Sequence, residues 1–512
     1  MTGGGSSTIT VNSNLKGIAV DLPEPAGKQK NTIIPSKVEI SLGEKSLPIK
    51  VSYGNEIKAK IQFSESSSQK LSFEKADIHF GKTEASLPAT PGVSLSGTLD
   101  KLDVQSWINV ISAEQKSSVS PTIFNQFKLH IKKLNWLDAA FEELRLMGRH
   151  KDSAWSGEVS SPLVVGRYHV PDNLTAGNKI SLELETFTIP SNEEQTLSNK
   201  ESPVSPSDVP NIDITSKQFF IGESELGQLE LRLRQKENGM IIESLSLKSD
   251  RDDFQADGAW EVSGKQSATA LKGRLNSQSL GLLLKDTELT SKLKDAPVDI
   301  YFDLNWPGEP QAFSKEHLNG YAEATSGQGR LLDVEPGIGR IFGLLSLSTL
   351  QRRLQLDFSD LVQKGLSFDK IKGRVVILDG EAQTNRFYLE SPSARLDFQG
   401  KVSLANEELD QIITVTPKTT ESLPLAGAIA GGPLVGAAVF IAQKIAGKTV
   451  NKLVGYQYRV TGPWKDPKIK QISQPGGKIF GMMDNVLSPV FNAAVGQLPF
   501  SKPVLAVDKG ND

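Results

Sequence analysis

At 512 residues the chain is long enough for several ordinary domains or for one extended, repetitive body. Its 57 Lys and Arg against 60 Asp and Glu give a formal charge of -3, which supplies no global electrostatic drive towards nucleic acid. The absence of Cys removes disulfides, thiolate metal sites and cysteine nucleophiles together, and it is compatible with an oxidising envelope compartment.

Residues 1–32 are Gly/Ser-rich and then Pro-containing, without the basic and apolar regions of a signal peptide, and read as a flexible lead-in or a frayed strand. Residues 33–190 form a β-rich segment. Val38, Ile40 and Leu42 alternate with Lys37, Glu39 and Ser41, and Ile57, Ala59, Ile61 and Phe63 with Lys58, Lys60 and Gln62. Turns rich in Ser, Gly and Pro separate further pairs such as Ile78 with Phe80 and Val93 with Leu95. A short helix is expected over 103–112, around Trp107. Residues 191–210 are polar and end in a Pro-rich run, which reads as a linker or long loop with a domain boundary in it.

From 211 to 422 the strands resume. Leu229, Leu231 and Leu233 alternate with Glu230, Arg232 and Arg234. Residues 244–263 have the layout strand, charged turn, strand; residues 386–404 repeat it, and 144–162 are a weaker copy. A helix is expected over 279–294 before Ile300, Phe302, Leu304 and Trp306 return to period two. The stretch 330–361 is different, because Ile338, Ile341, Phe342, Leu344, Leu345, Leu347 and Leu350 fit a buried helix closed by Arg352 and Arg353. Leu354, Leu356 and Phe358 then read as strand.

Strings that look like chemistry fail on inspection. GIGRIFG at 337–343 has its third Gly one position late for a dinucleotide fingerprint and opens a helix outside any βαβ unit. The Gly447-Lys448-Thr449 run lacks the leading Gly of a phosphate loop, since position 442 is Ala442. His79, His130, His150, His169 and His317 show no metal-ligand spacing, and no GxSxG elbow occurs. Asp357 and Asp360 lie beside Arg352 and Arg353 and read as structural partners. The expectation is a protein that is not an enzyme and has no catalytic residues, metal or cofactor.

Residues 423–452 begin with an uncharged stretch, 423–442, of about the length that spans a bilayer. It is Ala/Gly-rich and Pro433 divides it, so it reads as a helix lying in a membrane interface or docked over the end of a groove in preference to a full span. Residues 453–473 read as a terminal strand. In 474–512, Ile479, Phe480, Met482, Met483, Val486, Leu487, Val490 and Phe491 make a second apolar helical stripe. The candidate membrane-contacting residues are Leu425, Ile429, Leu434, Val439, Phe440, Phe480, Met483, Leu487 and Phe491.

So many one-sided strands need a cover over their apolar face. Alternation alone favours a second sheet, as in a sandwich; the small number of amphipathic helices favours an open, curled sheet whose face takes an apolar ligand. Here a resemblance bears on the choice. GIGRIFGLLSLSTLQRRLQLDFSDLVQKGLSFDKIKG, SPSARLDFQGKVSL, LPLAGAIAGGPLVGAA and YQYRVTGPWKDP, in this order over 305–470, resemble the C-terminal region of the AsmA-like family of Gram-negative envelope proteins. LPATPGVSLSGTLDKLDVQSWINVI and FEELRLMGRHKDSAWSGEVSSP extend the resemblance more loosely towards the N-terminus.

The resemblance implies a mainly β fold: an elongated, curled antiparallel β-sheet groove with a few short helices and two apolar C-terminal helices. It also implies intermembrane phospholipid transport between inner and outer membrane, in the cell envelope and periplasm. Members carry an N-terminal anchor and are longer, so a fragment or misplaced start is expected, with a split gene second. Period two nominates Leu229, Leu231, Leu233, Leu245, Leu247, Ile300, Phe302, Leu396 and Phe398 as groove lining. The expected partners are phospholipid acyl chains, the inner or outer membrane and envelope proteins, with no nucleic acid. The alternatives are a non-catalytic envelope scaffold of the same fold, and a β-rich carbohydrate-active domain that would need a carboxylate pair the sequence does not show.

Overall fold

The computed structural model describes residues 7–42, 46–65, 71–103, 106–107, 124–136, 139–174, 177–190, 209–264, 266–287, 293–332, 366–392, 394–417 and 456–473. Among them, 24 strands belong to a mixed sheet and three to a small separate one, so the fold is mainly β. The chain divides into two compact units, Met1–Val204 with Pro210–Arg232, and Ser205–Val209 with Leu233–Asp512.

In the first unit β1 (Ser7–Ser13), β2 (Ser36–Leu42), β3 (Ser46–Tyr53), β4 (Ile57–Glu65) and β5 (Leu71–Phe80) are antiparallel, each bonded to the next. β6 (Gly92–Asp103) then runs parallel to β5, and β7 (Phe124–Trp136) parallel to β6. β8 (Ala139–Lys151), β9 (Ala154–Ser160), β10 (Val164–Pro171) and β11 (Lys179–Ile189) are antiparallel again, and β12 (Asn211–Ile221) is parallel to β11.

The three parallel pairings depart from the antiparallel sheet expected. A parallel neighbour requires a connection that travels back along the strand. Residues 81–91 are the first connection that does so, between β5 and β6; in chain order 104–123 stand between β6 and β7, and 190–210 between β11 and β12. The first is tied down by Asp77, which is buried and accepts hydrogen bonds from the Ser86 amide at 3.1 Å and from the Ser94 and Ser96 hydroxyls. The lead-in, too, contains a strand, β1. Between β1 and β2 the chain folds around Lys28, whose buried ammonium donates to the carbonyls of Leu15 at 2.9 Å, Gln29 at 3.1 Å and Ile18.

β13 (Ser224–Lys236) carries Leu229 and Leu231 in the first unit and Leu233 in the second. The second unit continues with β14 (Gly239–Lys248), β15 (Asp252–Ser263), β16 (Gln266–Ser277), α1 (Leu280–Asp286), β17 (Leu293–Asp295), β18 (Val298–Pro307), β19 (Asn319–Ser326), β20 (Gly329–Leu331) and β21 (Leu366–Phe368). It closes with β22 (Lys370–Leu378), β23 (Glu381–Glu390), β24 (Ala394–Ser403), β25 (Glu408–Pro417), β26 (Tyr456–Pro463) and β27 (Lys468–Ser473). Strands β14, β15, β16, β18, β19 and β22 to β27 form one antiparallel ladder in that order. The repeats at 144–162, 244–263 and 386–404 are the hairpins β8–β9, β14–β15 and β23–β24.

The helix expected over 279–294 is shorter. Ser279 caps α1 by accepting the Leu282 amide, and the Thr287 hydroxyl donates to the Leu283 carbonyl at 2.8 Å where the helix ends. Leu293 to Asp295 pair with β20 instead, and β20 pairs with β21. The buried helix and following strand expected over 338–358, and the apolar segments 423–442 and 479–495, lie outside the described residues. So does most of the helix expected over 103–112. Among the described residues no helix is long and apolar enough to cross a membrane.

Candidate functional site

Residues paired across a ladder share a face, so the registers can be followed from strand to strand. In the second unit one row runs Leu247, Phe254, Leu275, Ile300, Ala324, Gly373, Phe387, Phe398, Ile413, Tyr458. Ten strands thus contribute ten consecutive residues, none of them charged. A neighbouring row on the same face runs Leu245, Ala256, Gly273, Phe302, Ala322, Val375. The first unit has its own row: Val11, Val38, Val51, Ala59, Ile78, Leu95, Phe127, Gly148, Gly157, Tyr168, Leu182, Ile214.

The opposite face of the second unit is polar and ion-paired across the same strands. Lys272 meets Asp257 at 3.3 Å, Arg374 meets Glu323 at 3.3 Å, Lys401 meets Glu381 at 2.7 Å and Arg459 meets Asp410 at 3.2 Å. Exposed pairs contribute little each, roughly 0–1 kcal/mol. Their consequence here is that charges of both signs are met by partners on the wet face.

The apolar face is not equally covered along its length. Over β23 to β26, Leu389, Leu396, Ile413, Val415 and Val460 are fully buried; Leu280 of α1, Leu293 and Leu331 of the small sheet, and buried Phe368 pack in the same cluster. Over β14 to β18, Leu245, Leu247, Phe254, Leu271, Leu275, Ile300 and Phe302 are only partly buried. Trp260 and Trp306 are buried at the end of the strands nearer the 307–319 loop. Their indole N–H groups donate to Ser267 Oγ at 2.7 Å and to the Glu309 carbonyl at 3.1 Å. This half-open stretch, floored by aliphatic and aromatic side chains and bounded by satisfied indoles, is the candidate site. It can hold an apolar ligand.

Six of the nine nominated lining residues, Leu245, Leu247, Ile300, Phe302, Leu396 and Phe398, stand on this single face. Leu396, at 0% exposure, belongs to the sealed part, and Phe398 at 9% to its border. Leu229, Leu231 and Leu233 share one face of β13 by strand alternation, with Leu229 buried and the other two partly so. Gly273 and Gly373 went unnoticed in the sequence, yet Phe302 leans over the first and Phe387 over the second. Their signal was available as isolated Gly within strand patterns. The membrane-contacting candidates Leu425, Ile429, Leu434, Val439, Phe440, Phe480, Met483, Leu487 and Phe491 lie outside the described residues.

Comparison with known proteins shows the family. A family model described as YhdP protein matches residues 3–469. The Escherichia coli (strain K12) intermembrane phospholipid transporter YhdP is 30% identical over 218 residues, covering 42% of this chain and 17% of that protein. No solved structure matches the chain. With nearly the whole chain matched by one family model, the chain belongs to the YhdP protein family.

Proposed function

We propose that this chain carries phospholipid acyl chains on the apolar face of its strands, as part of transport between the inner and outer membranes of a Gram-negative envelope. The observation that carries the reading is the uncharged row from Leu247 to Tyr458, half-open over β14 to β18 and backed by an ion-paired face. The name of the Escherichia coli relative supports it. No covalent step is needed, and the protein acts without catalysis. Each CH₂ kept from water along such a floor avoids about 0.8 kcal/mol, so a continuous floor lowers the barrier that a lipid tail meets in crossing an aqueous space. Leu245, Leu247, Ile300 and Phe302 line the open part, and Leu231 and Leu233 are assigned the same role on β13. The stretches 423–442 and 479–495 are assigned the contact with a membrane.

The second reading, a scaffold whose apolar face is simply filled, is favoured by the sealed cluster around Leu396 and Ile413. A photocrosslinking residue at Ile300 or Phe302, in cells, separates the two. Lipid adducts at these positions, absent at outward-facing Arg274 and Asp299, are the expected result. Adducts to protein alone at all four positions would exclude the lipid floor.

A further inference from the structure

The first unit carries a hollow of about 810 Å³ where β8 and β10 end and β9 begins. Its floor is a row of cross-strand partners, Arg149, Ser156 and His169. Strand alternation puts this row on the face opposite Gly148, Gly157 and Tyr168, away from the apolar residues. The walls are the 152–153 turn and the chain that follows β10. The Asp172 amide ties these walls together by donating to the Ser153 carbonyl at 2.9 Å. A hollow of this size takes a small molecule.

Hydrogen-bond donors dominate its lining. The Arg149 guanidinium has no hydrogen-bond or ion-pair partner among the described residues. Lys151 has a loose one, Asp152 at 3.8 Å, with both side chains 85% exposed. Ser156 Oγ and His169 Nδ1 are hydrogen-bonded at 2.8 Å, which orients the ring and leaves Nε2 without a partner among the described residues. Of the two carboxylates in the walls, Asp172 is already engaged, since both its oxygens lie 2.8 Å from His150 Nε2. A guanidinium fork, an ammonium and an imidazole nitrogen gathered in one hollow match the oxygens of a phosphate group.

We propose that this hollow binds a phosphate ester, with the phosphate held by Arg149, Lys151 and His169. Two sources share that chemistry: the headgroup of a phospholipid reaching over the strand ends, and a soluble phosphate ester. The inference stands on the hollow and does not depend on what the apolar face carries.

Calorimetric titration of the full-length chain with glycerol phosphate and, separately, with monomeric short-chain phosphatidylglycerol supplies the test. Binding of the lipid at least tenfold tighter than of glycerol phosphate identifies a headgroup as the source; comparable affinities identify a soluble ester. In either case Arg149→Gln is expected to weaken binding at least tenfold. Arg167→Gln is expected to leave it unchanged, because Arg167 lies on the same face of β10 but is paired with Glu183 at 3.3 Å. Both arginines are exposed, so circular dichroism of the two variants should match that of the parent chain. Failure of the folded chain to bind either probe would overturn the proposal. So would binding that Arg149→Gln leaves intact, or equal weakening by the two substitutions.

Discussion

Phe254 stacks on Phe302 with ring centroids 6.0 Å apart and planes 14° from parallel, although a whole strand, β16, lies between them. The contact is possible because β16 presents Gly273 beside Phe302. A Cβ at this position would sit 2.7 Å from Phe302 Cζ and 2.4 Å from the Gln255 carbonyl oxygen. Glycine weakens a strand interior, and here that cost is offset by room for an aromatic floor. Gly273→Val is therefore expected to unstack the rings and destabilise the second unit by about 2 kcal/mol. Thermal unfolding checks the stability, and lipid crosslinking from position 302 checks the floor.

A charge on the floor should have opposite effects at two positions of the same face. Ile300 is partly buried in the open stretch, so Ile300→Asp is expected to fold with little loss and to abolish lipid capture. Leu396 is fully enclosed, and Leu396→Asp buries an unpaired carboxylate, costing more than about 4 kcal/mol. Circular dichroism melts paired with lipid mass spectrometry of the purified variants distinguish the cases. Equal unfolding by both changes would mean that the stretch over β14 to β18 is closed core.

Two aspartates on the wet face of β18 should respond to pH in opposite senses. Asp299 accepts two hydrogen bonds from the Arg274 guanidinium, one at 2.7 Å, which hold its carboxyl below the usual carboxylate range. Its contribution is present above the ordinary carboxylate pKa and is lost as pH falls through the depressed native value. Asp303 is pushed up, mainly by burial; nearby Lys272 opposes the shift and the Asp257 charge adds to it. Its native state favours the protonated acid, so its contribution is present at low pH and is lost as pH rises through the raised value. Asp299→Asn should destabilise at neutral pH and Asp303→Asn should stabilise, both converging with the parent chain under acid conditions. Denaturant midpoints between pH 3 and pH 7 supply the measurement.

Lys28 holds the 14–35 segment together through three carbonyls. Lys28→Met keeps the length of the side chain and leaves those acceptors without the ammonium, at a cost on the order of 3 kcal/mol. Hydrogen exchange should accelerate at the amides of Gly17 and Val20, which bond across this segment to the Lys30 and Lys28 carbonyls. Amides of β23 to β25 should be unaffected, and acceleration there too would mean that the change acts on the whole fold.

Period two was enough to put Leu245 with Leu247, and Ile300 with Phe302, on one side of their strands, because a single strand already separates its two sides by alternation; the registers join the two pairs on a common face. It could not carry across irregularities. On β23 the inward residues change from Ala382 and Thr384 to Phe387 and Leu389, because the ladder slips between Thr384 and Phe387. Nothing in the local pattern marks that slip. Parallel pairing was equally hidden: Ile78 and Leu95 alternate like any hairpin partners, and only the path of 81–91 makes them neighbours in parallel. Nor does alternation report cover. Leu396 and Ile300 look alike in sequence; what separates them is the small sheet and α1, contributed by segments distant from β24 in the chain.

Strand pairing that follows chain order has a kinetic consequence. Between β14 and β16, and again from β22 to β25, every partner lies one short turn away, so little loop entropy is lost before each new ladder forms. Such stretches can nucleate separately and elongate by single strands, as in one-dimensional repeat arrays. Joining β19 to β22 is a slower kind of step, since the whole of 327–369 must be looped out first. A chain emerging from synthesis would hold the β14-to-β19 stretch already assembled while waiting for that closure, with its apolar face finished before its neighbours arrive.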